Sequence, residues 1–505
     1  MIKFTSKKIL IILIILLGLL STHRLLKPGI HSMADEMHIF RLEQYHQCIM
    51  DGQIPCRYVS DAGFGYGYPL FNFYAPGFYS IAQIFHLIGF SLVNSLKIVL
   101  VLTAISGAIG IFYLSNSLLA SVLFLFAPYQ AINIFVRGAF PEFFALNLIP
   151  WIIYFFKEKK YFWSTIFLAF LMISHTLTSL SLLVFLLPYL FIFIKDYKKQ
   201  IISLLTSFGL SAFFTLPAFF EKNLTTVETM TQAYFNFVNH FATLHQLFIS
   251  RFWGYGASLW GPQDDMAISI GLMQWLIPLL ALIYLFKKKK INLKIIFYLT
   301  SALFFIFLTH NKSTFIWQSL PFMKYFQFPW RFIGIALIPL SLIAGKIKLN
   351  KFFLAILIFI TICLNLNYFK EDIWHYQYNF DKARLSGLAI GDYWPNYGEE
   401  LPIKYIESRG IERQSNKLSL FVEVKDENMK LVLPLVYFPN WKVYVNDQQK
   451  EFEIDPQYGQ IKINLETGKN NVVLKLYNTP IRTLANIISC ISLCFLFFII
   501  KYEKK

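Results

Sequence analysis

MIKFTSKKILIILIILLGLLSTHRLLKPGIHSMADEMHIFRLEQYH, residues 1–46, sets an apolar run behind lysines and in front of an acidic, histidine-bearing stretch. The run, about residues 9–26, is long enough to cross a hydrocarbon layer roughly 30 Å thick. No small-residue cleavage site follows it, so it is expected to be an uncleaved first span. Cytoplasmic loops concentrate Lys and Arg. Placing MIKFTSKK in the cytoplasm therefore puts HSMADEMHIFRLEQYH outside, with Asp35, Glu36, His31, His38, His46 and Arg41. If this stretch is a short helix, Asp35, His38 and Leu42 share one face.

The same alternation runs through the chain. Of 505 residues, 56% are hydrophobic and 15% charged, against roughly 25% charged in soluble domains. The formal charge of +17 would suit nucleic acid in a soluble protein. Here the lysines cluster between apolar runs, which excludes that partner and marks a polytopic membrane protein. About twelve spans are expected: 9–26, 95–114, 117–130, 141–156, 161–175, 178–194, 201–220, 267–286, one ending near His310, one starting at FQFPWRF (326–332), 351–367 and 482–500. This count lands KEKK (157–160), KDYKK (195–199), KKKK (287–290), KIKLNK (346–351) and KYEKK (501–505) in the cytoplasm. Counting residues 74–90 as a further span would reverse that parity, so they are expected to form an amphipathic helix along the outer interface.

Residues 368–480 change character. KLSLFVEV, KLVLPLVYF, WKVYV, FEI, QIKINL and NVVLKLY alternate apolar and polar residues, as half-buried strands do. Asn446-Asp447 and Thr467-Gly468 provide turns. The expected organisation is a transmembrane unit (1–367), a small extracytoplasmic β-sandwich (368–480) preceded by a Tyr- and Trp-rich segment, and a last span with a cytoplasmic tail (481–505). Cys363, Cys490 and Cys494 read as core filler. Cys48 and Cys56 share one outer loop and are either bridged or free.

Several outer-face residues are candidates for chemistry. Asp35 and Glu36 are either a catalytic pair or solvated loop residues. Arg137 and Glu142 sit at membrane depth, where ionisable groups are costly and usually functional; the alternative is a structural ion pair. His175 is a site residue or a helix cap, and Glu221 has similar standing. Trp330 and Arg331 suit an anionic headgroup or phosphate, or else belong to an interfacial aromatic belt. DAGFGYGYPLFNFYAP (61–76) can present ring faces to a sugar or isoprenoid. His and carboxylates around Asp35 could hold a divalent metal such as Mg or Mn. No Walker motif, CxxC zinc site, HExxH or nucleophile elbow is present.

GYGYPLFNFYAP (65–76), APYQAINIFVRGAFPE (127–142), SHTLTS (174–179), LPAFFEK (216–222) and FQFPWRF together resemble a bacterial family labelled membrane 6-pyruvoyl-tetrahydropterin synthase-related. That family has the GT-C glycosyltransferase architecture. The resemblance covers about residues 1–370, and YFPNWKVYVN (437–446) looks like the outer β-domain of lipoteichoic-acid glycosylation proteins. The pterin chemistry in the label has no zinc-binding histidine set to support it here. The resemblance implies a GT-C-like helical membrane protein that moves a sugar from a polyprenyl-phosphate donor to an envelope glycan or glycolipid acceptor. Asp35 matches the general-base position, with Glu36 as the adjacent alternative. His38, Arg137, Glu142, His175, Glu221, Trp330 and Arg331 would bind substrate. A transporter or flippase of lipid-linked glycans, or a non-catalytic envelope assembly protein, is the alternative.

Overall fold

A computed structural model describes the chain except residues 1, 255, 262, 378–392, 403, 405, 407–409, 426–428 and 504–505. The protein is 60% helical with a small β-sheet region. Among the described residues five helices are long and apolar enough to cross a membrane: Leu92–Ser115, Thr176–Phe193, Tyr197–Phe220, Lys351–Tyr368 and Pro480–Ile499. The number rises to seven if two bent pairs each count as one span. Tyr161–Met172, Leu272–Lys287 and Pro329–Ala344 are apolar but shorter. The first apolar run forms the helix Ile2–Ser21. Gly77–Leu87 has 11 residues, or about 16 Å of helix, too short to cross; it buries Phe78 and Tyr79 and exposes Ile84 and Leu87.

Helix direction separates two ends of the bundle. Glu142 lies in the first turn of the helix Phe140–Lys157 and Lys157 closes it, about 22 Å away. Arg331 precedes Phe332–Ala344, with Lys346 just beyond its far end. Lys157, Lys294 and Lys346 interact electrostatically, so the lysines gather at one end. Glu142 and Arg331 lie at the other.

One bent pair shapes the second end. Pro128 has no N–H for an i−4 bond, and the chain turns by 45° between Leu118–Leu125 and Pro128–Val136. The carbonyls freed at the bend are met from other helices: Gln274 donates to Leu123 and Phe126 (3.1 and 3.3 Å), and Asn365 donates to Phe126 at 2.9 Å. Residues 132–136 are wound as a π-helix. The Arg137 N–H therefore reaches Ile132 O at 2.8 Å, and Arg137 is carried inward.

Among the described residues there are ten strands, two of which form a separate ribbon that joins the segment after the first helix to the β region. That ribbon pairs β1 (Ile30–His31) with β2 (Trp374–His375). A five-stranded sheet runs β3-β4-β10-β6-β7 and a three-stranded sheet β5-β9-β8. Their strands are β3 Ile411–Arg413, β4 Lys417–Val424, β5 Met429–Val436, β6 Trp441–Val445, β7 Gln448–Lys450, β8 Glu453–Ile454, β9 Gln460–Leu465 and β10 Gly468–Leu476. The inward residues of the two sheets, among them Leu418, Leu433, Ile463 and Leu474, share one buried cluster with Tyr58, Tyr68 and Phe71.

Three expectations need correction. The 61–76 loop does not offer its rings to a ligand: Phe64, Tyr66, Tyr68, Phe71 and Phe73 are buried. They pack on Trp394, Tyr393 and Phe438 because the β region covers this loop. Cys363, Cys490 and Cys494 are exposed on outward helix faces and fill no core. The short helix starts at His38, so Asp35 precedes it and does not share its face. Cys48 and Cys56 are bridged.

Candidate functional site

The segment before the helix His38–Met50 is tied to the π-wound segment by its backbone. Ala34 N–H donates to Val136 O and Asp35 N–H to Arg137 O, each at 3.0 Å. Gly138 sits at φ +65°, and a Cβ there would meet Met33 and the Asp35 carbonyl at under 3 Å, so this approach needs glycine. Asp35 is thereby set beside Arg137 in the chain fold, although 102 residues separate them.

Asp35 lies in a small network. Arg41 Nη1 donates to Asp35 Oδ2 at 2.6 Å and to the Tyr74 hydroxyl at 3.3 Å, and the guanidinium stacks on the Tyr74 ring. The Met37 N–H meets Asp35 Oδ1 at 3.4 Å. The Asp35 side chain is 33% exposed. Burial raises its carboxyl, but the charge and hydrogen bond of Arg41 outweigh that, and the pKa lies below the ordinary value. Asp35 is therefore ionised at neutral pH.

His38 is buried, 3.8 Å from Asp35 and stacked on Phe140 at 4.2 Å. Its Nε2 donates to the Gly138 carbonyl, which can only accept, so Nδ1 accepts from the Tyr79 hydroxyl at 2.7 Å. Burial lowers its pKa to about 4 against the pull of Asp35. The imidazole is neutral and both nitrogens are engaged.

The second network surrounds Glu142. Arg137 Nη2 donates to Glu142 Oε2 at 2.9 Å, and Arg137 Nη1 donates to Asn133 at 2.5 Å and Tyr129 at 3.3 Å. The Tyr129 hydroxyl donates to Glu142 Oε1 at 2.6 Å. Arg331 Nε stands 3.6 Å from Glu142 Oε2, and the Trp330 ring lies 4.5 Å from the Arg137 guanidinium. His175 caps the helix Thr176–Phe193, accepting from Thr178 N–H at 3.2 Å, and interacts electrostatically with Glu142, Arg331 and Arg137. Two guanidiniums face one carboxylate, a surplus of one positive charge. Trp330 Nε1, Asn133 Nδ2 and Arg331 Nε are buried without a hydrogen-bond acceptor. All three are donors.

Glu221 belongs to a third network. Its Oε2 accepts from Arg482 Nε at 2.9 Å and Asn72 Nδ2 at 2.8 Å, and its Oε1 from Thr479 at 2.6 Å. Arg57 joins through Asn72 and Asn486, and Arg482 also donates to the Pro439 carbonyl. This network ties Tyr197–Phe220, the 57–73 loop, the β region and the last helix. Glu221 is placed as a structural tie.

Arg137, Glu142, His175, Trp330 and Arg331 thus come together, with Asp35 and His38 beside them. Glu36 is exposed next to Asp35, and Glu221 is held elsewhere by Arg482. Sequence reading did not assign Tyr129, Asn133 or Tyr79 to the site. The Asn133–Arg137 spacing of four was the available signal.

A metal does not fit the Asp35 neighbourhood: His38 has no free nitrogen and Arg41 occupies Asp35 Oδ2. Among the described residues no group of three or more His, Cys, Asp or Glu is arranged to hold one. Comparison with family models, curated proteins and solved structures gives no match.

Proposed function

We propose that the protein is an integral membrane glycosyltransferase of GT-C type, transferring a sugar from a polyprenyl-phosphate donor to an extracytoplasmic envelope glycan or glycolipid. The observation that carries this reading is the cation-surplus pair Arg137 and Arg331 with the unmet donors Trp330 Nε1, Asn133 Nδ2 and Arg331 Nε, adjoining a partly exposed, ionised carboxylate. Such a cluster suits a phosphate, and the carboxylate suits an attacking hydroxyl.

In this reading the donor's phosphate oxygens lie against Arg331 and Trp330. The acceptor hydroxyl donates a hydrogen bond to Asp35 Oδ1 and attacks the anomeric carbon. As the new C–O bond forms, the bond from that carbon to the phosphate oxygen breaks, and the electron pair leaves with polyprenyl phosphate. Asp35 takes the hydroxyl proton, and the guanidiniums stabilise the departing anion. Arg41, itself held by Tyr74, holds the Asp35 carboxylate in place. Glu36 stays the neighbouring alternative as base.

The twelve-span topology, with both termini cytoplasmic and the site outside, belongs to the proposal. The lysines at the far end of the bundle support it, and so does the Cys48–Cys56 bridge, which suits an oxidising compartment. Sugar transfer from polyprenyl-phosphate donors in proteoliposomes tests the reading. Asp35→Asn is expected to lower transfer by about 10²-fold or more. Full activity in both Asp35→Asn and Glu36→Gln would refute the role given to this stretch. Donor movement across the bilayer without transfer would favour a flippase.

A further inference from the structure

A cavity of about 260 Å³ opens between the start of Leu272–Lys287 and the end of Lys351–Asn365. Lys287 closes the first helix and Lys351 opens the second, so the cavity lies at the end of the bundle away from the lysines, the end that also carries Glu142 and Arg331. It is separate from both networks of the proposed site. Its walls are mainly apolar, with Leu272, Leu364, Trp275 and Tyr368 among them, and Arg251 stands on its rim.

The polar groups of the wall are largely committed. Trp275 Nε1 donates to the Phe248 carbonyl at 3.1 Å, Asn365 closes the bend at Phe126, and Ser250 donates to Asp264. Arg251 differs. One of its nitrogens donates to the Leu364 carbonyl at 2.9 Å. Among the described residues no carboxylate lies within ion-pair distance of it, and its side chain is exposed. Ile249 and Leu272, beside the mouth, are 68% and 41% exposed. Trp253 packs on Tyr368 at 5.1 Å, completing an aromatic group of the kind found at headgroup depth.

An apolar crevice at the end of two membrane-length or near-length apolar helices, with one uncompensated guanidinium at its rim, matches an anionic amphiphile. We propose that it is a seat for an anionic membrane phospholipid, its phosphate on Arg251 and the upper part of one acyl chain against Leu272, Leu364 and Trp275. At 260 Å³ the space is just below the usual range for small-molecule pockets. It suits a headgroup and a short length of chain. A bilayer always supplies that occupant, and the charge selects among its lipids. This inference needs only that the chain spans a membrane.

Trp275 reports on occupancy. The full-length protein is reconstituted in phosphatidylcholine vesicles containing equal fractions of acyl-brominated phosphatidylglycerol or acyl-brominated phosphatidylcholine, and tryptophan quenching is compared. Brominated phosphatidylglycerol is expected to quench with about fivefold higher apparent affinity, the preference one basic side chain confers near an anionic membrane. The preference is expected to vanish in Arg251→Gln, an exposed change, and in Trp275→Phe. Filling the wall with Ser269→Leu is expected to remove it as well. Equal quenching by the two lipids in the wild type would overturn the proposal, as would a preference that survives Arg251→Gln or Ser269→Leu. Loss of the preference on adding a trace of polyprenyl monophosphate would also overturn it and assign the seat to a polyprenyl carrier.

Discussion

Glu221 and Asp35 are both carboxylates at the end of the bundle away from the lysines, yet the structure gives them opposite burdens, and substitution should separate them. Glu221 is 4% exposed and Arg482 1% exposed. In Glu221→Ala the guanidinium stays buried without its counter-charge, which costs about 3–5 kcal/mol. Asn72 and Thr479 lose their acceptor, adding about 1 kcal/mol each. The total, roughly 5–7 kcal/mol, corresponds to a fall in Tm of about 5–7 °C in detergent. The Asp35–Arg41 pair has a carboxylate a third exposed, so solvent screening holds the loss in Asp35→Asn to about 1 kcal/mol or less. Replacing the Glu221–Arg482 pair as a whole, in Glu221→Leu with Arg482→Met, should recover much of the stability, because an apolar pair carries no stranded charge. Thermal melts of the purified variants, followed by tryptophan emission, give the comparison. If Glu221→Ala melted with the wild type while donor binding disappeared, Glu221 would be a substrate ligand and its assignment as a tie would fail.

His38 should make stability depend on pH in a defined window. Its folded pKa is about 4 against 6.5 unfolded, so between these values the unfolded state binds more protons and stability falls as pH falls. The difference of 2.5 units amounts to about 3 kcal/mol at full effect. His38→Gln should flatten the pH dependence of Tm between pH 6.5 and 4, and an unchanged slope would show that another group is responsible. Arg331→Gln should lower kcat/KM for the polyprenyl-phosphate donor by roughly 10²-fold with little loss of Tm, since Arg137 still holds Glu142; unaltered kcat/KM would remove Arg331 from the site. For topology, Glu158→Cys in a background lacking the three free cysteines should resist a membrane-impermeant thiol reagent from outside, whereas Glu36→Cys should react. Labelling of position 158 would reverse the orientation.

The apolar runs were legible because burial in lipid or core is a property of consecutive residues. The apolar runs are largely helical, but the 117–130 run is two helices bent by 45°. Among the described residues five to seven helices are long and apolar enough to cross a membrane. The strands from Lys417 to Leu476 follow their alternation in part, with β5 burying its last four residues in a row. The lysine clusters mark helix ends in the same local way, and Lys157 and Lys346 are close enough to interact electrostatically. The candidate site was legible in part. Arg137 and Glu142 are five residues apart in one motif, so their pairing is a near-neighbour event, and the Asn133–Arg137 contact follows from helical spacing.

What the sequence by itself determined is therefore the helical membrane character, the β-rich segment and the residue types available at one end of the bundle. Only the tertiary structure decided which of them meet. Glu221 gives no sign in the sequence of its partner Arg482, 261 positions away, which the fold brings onto it. The rings of 61–76 could be read as a sugar-facing loop until the β region covered them. Asp35 was placed beside Arg137 by two backbone hydrogen bonds and a glycine with positive φ. Local patterns report whether a residue is buried and in what period. The partner that compensates a buried charge depends on chain segments far apart in sequence, and their approach is settled only when the whole fold packs.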